Sequence, residues 1–112
     1  MKITFPFGVT TVPNKNTCMG IFQFDDDGKK LFDKIVKPLV ETHTRLVYED
    51  ARDYYEPFSI KMDLISRMIE ESNLIIADLS QKNPNVFLEL GIAYNLKKPL
   101  ILLCSEDSYK KI

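Results

Sequence analysis

Apolar positions along this chain fall in short runs whose spacing alternates between that of a strand and that of a helix. Cys18–Phe24 (Cys-Met-Gly-Ile-Phe-Gln-Phe) reads as a buried strand, and Asp25-Asp26-Asp27-Gly28 ends it. Lys29–Glu41 follows as an amphipathic helix with Leu31, Phe32, Ile35, Val36, Leu39 and Val40 on its core face. Pro38 inside that pattern predicts a kink or an early end. Thr44–Tyr48 is a second strand, and the polar and aromatic Glu49–Glu56 a loop. A second helix is predicted from about Ser59 to Glu71, with Leu64, Ile65, Met68 and Ile69 at core spacing. Asn73–Leu79 gives a third strand with a nearly continuous apolar centre, and Pro99–Cys104 a fourth.

Short apolar strands separated by helices predict an α/β fold, a parallel sheet covered on both faces. Lys2–Val12 alternates only roughly, because Pro6, Gly8 and Pro13 interrupt it, and reads as an edge strand or a hairpin arm. Four parallel strands make a small sheet, so the N-terminal strand or another subunit is expected to complete it.

Between the third and fourth strands lies Asn83-Pro84-Asn85-Val86-Phe87-Leu88-Glu89-Leu90-Gly91-Ile92-Ala93-Tyr94. Asn83 is suited to cap a helix and Pro84 to its first position, where a missing N–H loses no partner. At about 100° per residue, Val86, Leu90, Ala93 and Leu96 form one face, while Leu88 and Ile92 form much of the opposite one. A helix apolar nearly all round predicts burial. Glu89 lies beside Val86 and Ala93, so its carboxylate is expected on the packed side. Burying an unpaired carboxylate costs several kcal/mol, so such an acid is either functional or bonded to backbone, Arg or Lys.

At 112 residues the chain is one small domain, with residues 1–17 as an N-terminal edge strand or arm. The apolar share of 45% and aromatic share of 11% are those of a globular protein. With 15 basic and 16 acidic residues well mixed, the net charge of −1 gives no footprint for a nucleic acid polymer or a membrane surface. The apolar runs are too short to span a bilayer and the N-terminus lacks a signal-peptide layout, so a cytoplasmic protein is expected. Cys18 and Cys104 both sit in strand-like runs and read as buried free thiols, with a disulfide or metal pair as the lesser alternative. His43 has no partner at metal-ligand spacing, no phosphate-cradling glycine motif occurs, and no metal or cofactor is expected.

In an open parallel sheet, ligands bind at the carboxyl ends of the strands near the switch in strand order. Asp25, Asp78 and Glu89 collect at that edge. Two carboxylates facing one cleft can divide glycosidic chemistry, one attacking the sugar carbon and the other handling the leaving group's proton. Asp78 can equally cap the turn that follows it. Asn83 and Asn85 flank a helix N-terminus that favours an anion such as phosphate, with simple capping the other role for Asn83. Arg52 is the best-placed cation for a carboxylate or phosphate, unless it is an ordinary surface Arg. Phe24, Tyr54, Tyr55 and Tyr94 are candidates to stack on a base, or else core residues.

Several of these blocks together resemble the nucleoside 2-deoxyribosyltransferase-like superfamily, which includes nucleotide N-hydrolases and many small bacterial nucleotide-binding proteins. They are Met19-Gly-Ile-Phe-Gln-Phe24, Ile35-Val-Lys-Pro-Leu-Val-Glu41, Asn73-Leu-Ile-Ile-Ala-Asp-Leu-Ser80, Asn83–Ala93 and Lys98-Pro-Leu-Ile-Leu-Leu103, in this order. The Ala-Asp-Leu and Glu-Leu-Gly blocks are the specific part. The resemblance implies a flavodoxin-like (Rossmann-like) three-layer sandwich with a mainly parallel sheet of four to five strands. It implies cleavage or transfer at an N-glycosidic bond, with Glu89 as nucleophile and Asp78 holding or protonating the base. Phe24 and Asp25 would help form the pocket, with Arg52, Ser80, Asn83 and Asn85 as further substrate-binding positions.

Transferases of this kind often carry a carboxylate six residues before the nucleophile, where this chain has Asn83, which favours a hydrolytic or phosphate-binding site. The family's usual strand and helix after the Lys-Pro strand are missing, as in a C-terminally truncated chain. Family sites are commonly completed across a subunit interface, so a homodimer or higher oligomer is implied. Two other readings remain open. One is a non-catalytic nucleotide-sensing module. The other is a glycohydrolase akin to Toll/interleukin-receptor domains, which use a Glu to cut NAD.

Overall fold

The computed structural model describes residues 2–5, 8–11, 16–53 and 58–111, with side chains placed from 16 to 53 and from 62 to 111. Strands β1 (Lys2–Phe5) and β2 (Gly8–Thr11) pair antiparallel with each other. The N-terminal segment is therefore a hairpin and does not extend the main sheet. That sheet is made of β3 (Thr17–Ile21), β4 (Val47–Asp50), β5 (Leu74–Asp78) and β6 (Leu100–Leu103), in the order β4-β3-β5-β6 and parallel throughout. The chain steps from β3 outward to β4, then returns past β3 to β5 and β6. The switch in direction lies between β3 and β5, and this is the flavodoxin-like strand order.

Helices cover both faces. From β3 the chain enters α1 (Asp26–Leu31), a π-helical turn (Phe32–Val36) and α2 (Lys37–His43). Phe32, Val36 and Val40 pack on Cys18, Phe22, Tyr48 and Ile76. Helices α3 (Phe58–Glu71) and α4 (Pro84–Asn95) cover the other face, where Ile65, Met68, Ile69, Val86 and Ala93 pack on Met19, Ile21, Ile75 and Ala77. The two residue sets alternate along β3 and β5, as the period of a strand covered on both sides demands. A short α5 (Glu106–Lys110) ends the described chain.

The boundaries shift from the sequence reading for local reasons. The acidic run does more than end β3. Asp25 caps α1 through its carboxylate, and Asp26 and Asp27 occupy the first turn, where they complement the helix dipole. Pro38 does not stop the helix, which continues to His43. The turn before it widens so that the Lys37 N–H donates to the Phe32 carbonyl, which relieves the crowding that a proline ring imposes one turn back. The core face of this helix is narrower than expected, because Ile35 and Leu39 are exposed.

Strand β4 begins at Val47 and runs through Glu49 and Asp50, which the sequence reading placed in a loop. Its last residues are polar because Asp50 is a buried ligand of other side chains. Cys18 is buried as expected, while Cys104 falls just past β6 and is exposed. Among the described residues no helix is long and apolar enough to cross a membrane.

Gly20 is required by a close approach. It sits level with Asp50 of β4 and Ile76 of β5, and a Cβ there would lie 2.1 Å from the Tyr48 hydroxyl.

Candidate active site

A cavity of about 220 Å³ opens at the switch point, above the carboxyl ends of the strands. Gly20, Ile21 and Ala51 form its floor, and Phe22, Gln23 and Phe24 rise from the end of β3 as one wall. Met62 and Ile65 of α3 close a second side, and Asn83, Asn85, Val86 and Glu89 of the α4 start close the third. Glu89 is half-buried and reaches the cavity from the first turns of α4, beside buried Val86. Among the described residues it is the one carboxylate lining this cavity.

The opening of α4 is built as the sequence predicted. Asn83 is extended and accepts the Asn85 N–H at 2.7 Å, and Pro84 occupies the first turn. The Asn83 amide also donates to Gln23 Oε1 at 3.1 Å, tying the helix to the loop after β3. Burial of α4 is less complete than its composition predicts. Val86 and Ala93 are buried, but Phe87, Leu88, Gly91 and Tyr94 face outward on an open apolar side.

The other predicted site residues divide into those at the cavity and those beside it. Phe24 is 39% exposed at the rim and meets Phe22 edge to face, with ring centroids 4.9 Å apart. Asp25 does not line the cavity. Its Oδ1 accepts the Gly28 N–H and its Oδ2 the Gln23 Nε2, both at 2.8 Å. Gly28 permits this tight turn, since a Cβ there would stand 2.2 Å from the Gln23 carbonyl oxygen.

Asp78, 9% exposed at the end of β5, also lies off the cavity lining, and Oδ1 accepts both the Ser80 N–H at 3.0 Å and the Ser80 hydroxyl at 2.6 Å. This is the turn-capping role. Ser80 in turn accepts the Ser105 N–H at 2.7 Å, so it joins the turn after β5 to the segment after β6. The pair of carboxylates expected to face one cleft is thus not assembled by Asp78 and Glu89 within the described residues. Tyr94 is exposed on the outer side of α4, and Tyr54 and Tyr55 lie outside the described residues.

Arg52 is bonded on every side. Its guanidinium meets Asp50 through Nε at 3.0 Å and Nη2 at 2.9 Å, and meets Asp33 through Nη2 at 2.7 Å and Nη1 at 3.2 Å. Asp50 is buried and also accepts the Tyr48 hydroxyl at 2.8 Å. The two carboxylates hold Arg52 above its ordinary pKa, and Arg52 holds Asp33 below its own. Arg52 lines a separate polar hollow with Asp33, Lys37 and Asp53, so it is no free anion ligand at the apolar cavity. It touches that cavity through aromatic rings instead. The guanidinium carbon lies 5.1 Å from the Phe22 centroid and 5.7 Å from that of Phe24. Phe22 itself stacks on Phe32, with centroids 4.0 Å apart.

Gln23, Asp50 and Tyr48 were not among the sequence candidates. A Gln ending a buried strand and an Asp ending the next were visible signals, since polar residues at sheet ends mark the binding edge. No group of His, Cys, Asp or Glu among the described residues is arranged to hold a metal. No protein-family model matches the chain, and no curated protein does.

Proposed function

We propose that this protein cleaves or transfers at the N-glycosidic bond of a nucleoside or nucleotide, with Glu89 as nucleophile. The observation that carries the reading is one half-buried carboxylate lining a mostly apolar cavity at the switch point, which the Phe24 ring also lines. Support also comes from the amides of Asn83 and Asn85 on the same cavity, which suit a sugar hydroxyl or a base edge. At about 220 Å³ the cavity is smaller than a usual drug-sized pocket of about 300–1,000 Å³, which suits a nucleobase and its sugar better than a dinucleotide.

In the reaction, a Glu89 oxygen bonds to the anomeric carbon as the bond from that carbon to the base nitrogen breaks. The electron pair leaves with the base, which takes a proton from water. Water then attacks the same carbon, giving its proton to solvent and restoring the Glu89 carboxylate. In transfer, a second base replaces that water. The resemblance to nucleoside 2-deoxyribosyltransferase-like proteins belongs to this proposal. So does a homodimer or higher oligomer, for which the outward Phe87, Leu88 and Tyr94 offer an apolar surface.

The test is a chromatographic screen for free base across ribo- and deoxynucleosides, their monophosphates and NAD. Glu89→Ala should lower base release about a thousand-fold or more without moving the melting temperature by more than a few degrees. Unchanged turnover in that variant ends the proposal. One observation favours a second reading, a nucleotide-binding module. Asp78 is bonded to Ser80 and leaves Glu89 without a second described carboxylate on the cavity. Tight binding with no base released over many hours would select that reading, and nicotinamide released from NAD would select the glycohydrolase akin to Toll/interleukin-receptor domains.

A further inference from the structure

Strand β6 ends the main sheet, and no described strand pairs with its outer side. Proteins commonly blunt such an edge with charged residues, proline or a bulge, because its free backbone groups invite pairing. The opposite edge is blunted in this way, since β4 carries Glu49 and Asp50. Leu100–Leu103 carries no charge. Ser105 and Ser108 fasten to Ser80 after β5, so α5 turns toward β5 and away from this edge. Ile101 and Leu102 stay 46% and 51% exposed, one on each face of the sheet. The Pro99 and Leu103 carbonyls accept from the Ile75 and Leu79 N–H groups. Backbone groups alternate in direction along a strand, so those of Leu100 and Leu102 point outward.

We propose that this edge joins the same edge of a second copy, antiparallel about a two-fold axis at Leu102, to make one eight-stranded sheet. In that register the Leu102 N–H and carbonyl exchange bonds with their own counterparts, and Leu100 lies opposite Cys104. Ile101 then packs on Leu103 of the second copy. Beyond the strand, Lys97 of each copy is brought toward Asp107 at the start of the other's α5, so exposed opposite charges meet. An axis perpendicular to the sheet keeps the two α4 helices on one side. Phe87 and Tyr94 lie on the side of α4 away from Glu89, and Tyr94 lines a hollow with Leu100 of β6. The exposed parts of Phe87, Tyr94, Ile101 and Leu102, with the strand backbone, would bury roughly 1,000 Å² over both copies, enough for a specific interface. This inference rests on the homo-oligomer part of the proposed function and gives it a mode of assembly.

Sedimentation velocity of the whole chain at micromolar concentrations should show a dimer. Leu102→Lys sets a charge against its own copy at the axis and should weaken association about hundred-fold or more. Its circular dichroism should stay native, because position 102 is half-exposed in a single copy. Two further variants read the register, both in a Cys104→Ser background and after mild oxidation. Leu102→Cys should link two copies, since residues opposite each other at the axis have Cα atoms about 5.5 Å apart, within disulfide reach. Ile101→Cys should not, because it faces Leu103 rather than itself. These variants decide the matter if Leu102→Lys does not fold. A monomeric native chain would overturn this inference and the homo-oligomer reading together. A dimer that survives Leu102→Lys, or cross-linking through position 101 in place of 102, overturns this inference alone and leaves self-association standing. Base release is followed in the same samples and bears on the glycosidic reading only.

Discussion

Arg52 and Asp50 show how one residue's chemistry is set by its neighbours. A cation beside a pocket invites assignment as an anion ligand, but this guanidinium already meets two carboxylates and two aromatic faces. The two acids are unequal. The Asp50 side chain is 2% exposed and the Asp33 side chain 51%. Asp50→Ala would leave the Tyr48 hydroxyl and part of the guanidinium buried without an acceptor, and should destabilise the protein by about 3–5 kcal/mol. Asp33→Ala removes an exposed partner and should cost under about 1 kcal/mol. Urea unfolding of the two variants checks the contrast, and equal losses would mean that burial does not govern this network. Because Arg52 stacks on Phe22 and Phe24, disorder in the network reaches the cavity wall through the rings rather than through charge.

At the scale of elements, α4 is the most informative case. Its start was legible because capping chemistry is local: Asn83 and Pro84 act on the N–H groups next to them. Its outer face was not legible, since periodicity separates the sides of a helix but does not say which of two apolar sides meets the sheet. The first helix repeats the lesson, with Ile35 and Leu39 apolar yet exposed, because only Phe32, Val36 and Val40 align with the sheet below. Site residues divided in the same way. Glu89 was placed by the helix that carries it, whereas Asp78 and Arg52 were settled by partners distant in space or hidden in a turn.

The end of α4 yields a prediction of its own. Lys97 sits at φ 56°, and the next N–H, of Lys98, donates back to the Ala93 carbonyl at 3.1 Å, closing the helix with a left-handed residue. A side chain is strained there and glycine is not. Lys97→Gly should therefore raise stability by about 0.5–1 kcal/mol, read as a higher melting temperature with the cavity unchanged. A lower melting temperature would show that the Lys97 side chain contributes more than its backbone strain costs.

For the whole molecule, the sheet order places chemistry and stability in different layers. The cavity lies at one end, at the crossover between β3 and β5, while the central layer below it is dry enough to hold ionisable groups neutral. Burial pushes the Cys18 thiol up to about 12. Burial and the neighbouring Asp50 carboxylate push the Tyr48 phenol well above its ordinary range. Unfolding exposes both groups, which then titrate near their free values of about 8.5 and 10.

Above about pH 8.5 the unfolded chain gives up a thiol proton that the folded chain keeps, and above about pH 10 a phenol proton as well. The folded state holds more protons in this range, so stability is full below it and falls as pH rises, by up to about 1.4 kcal/mol per pH unit for each group. Cys18→Ala should lower stability near neutral pH, because it empties packed space, yet flatten the decline between about pH 8.5 and 10, where the thiol acts before the phenol. Slope, not height, is therefore the diagnostic quantity. Urea midpoints collected from pH 8 to 11 measure it, and parallel declines in native and variant protein would mean that the thiol is not held neutral by the fold.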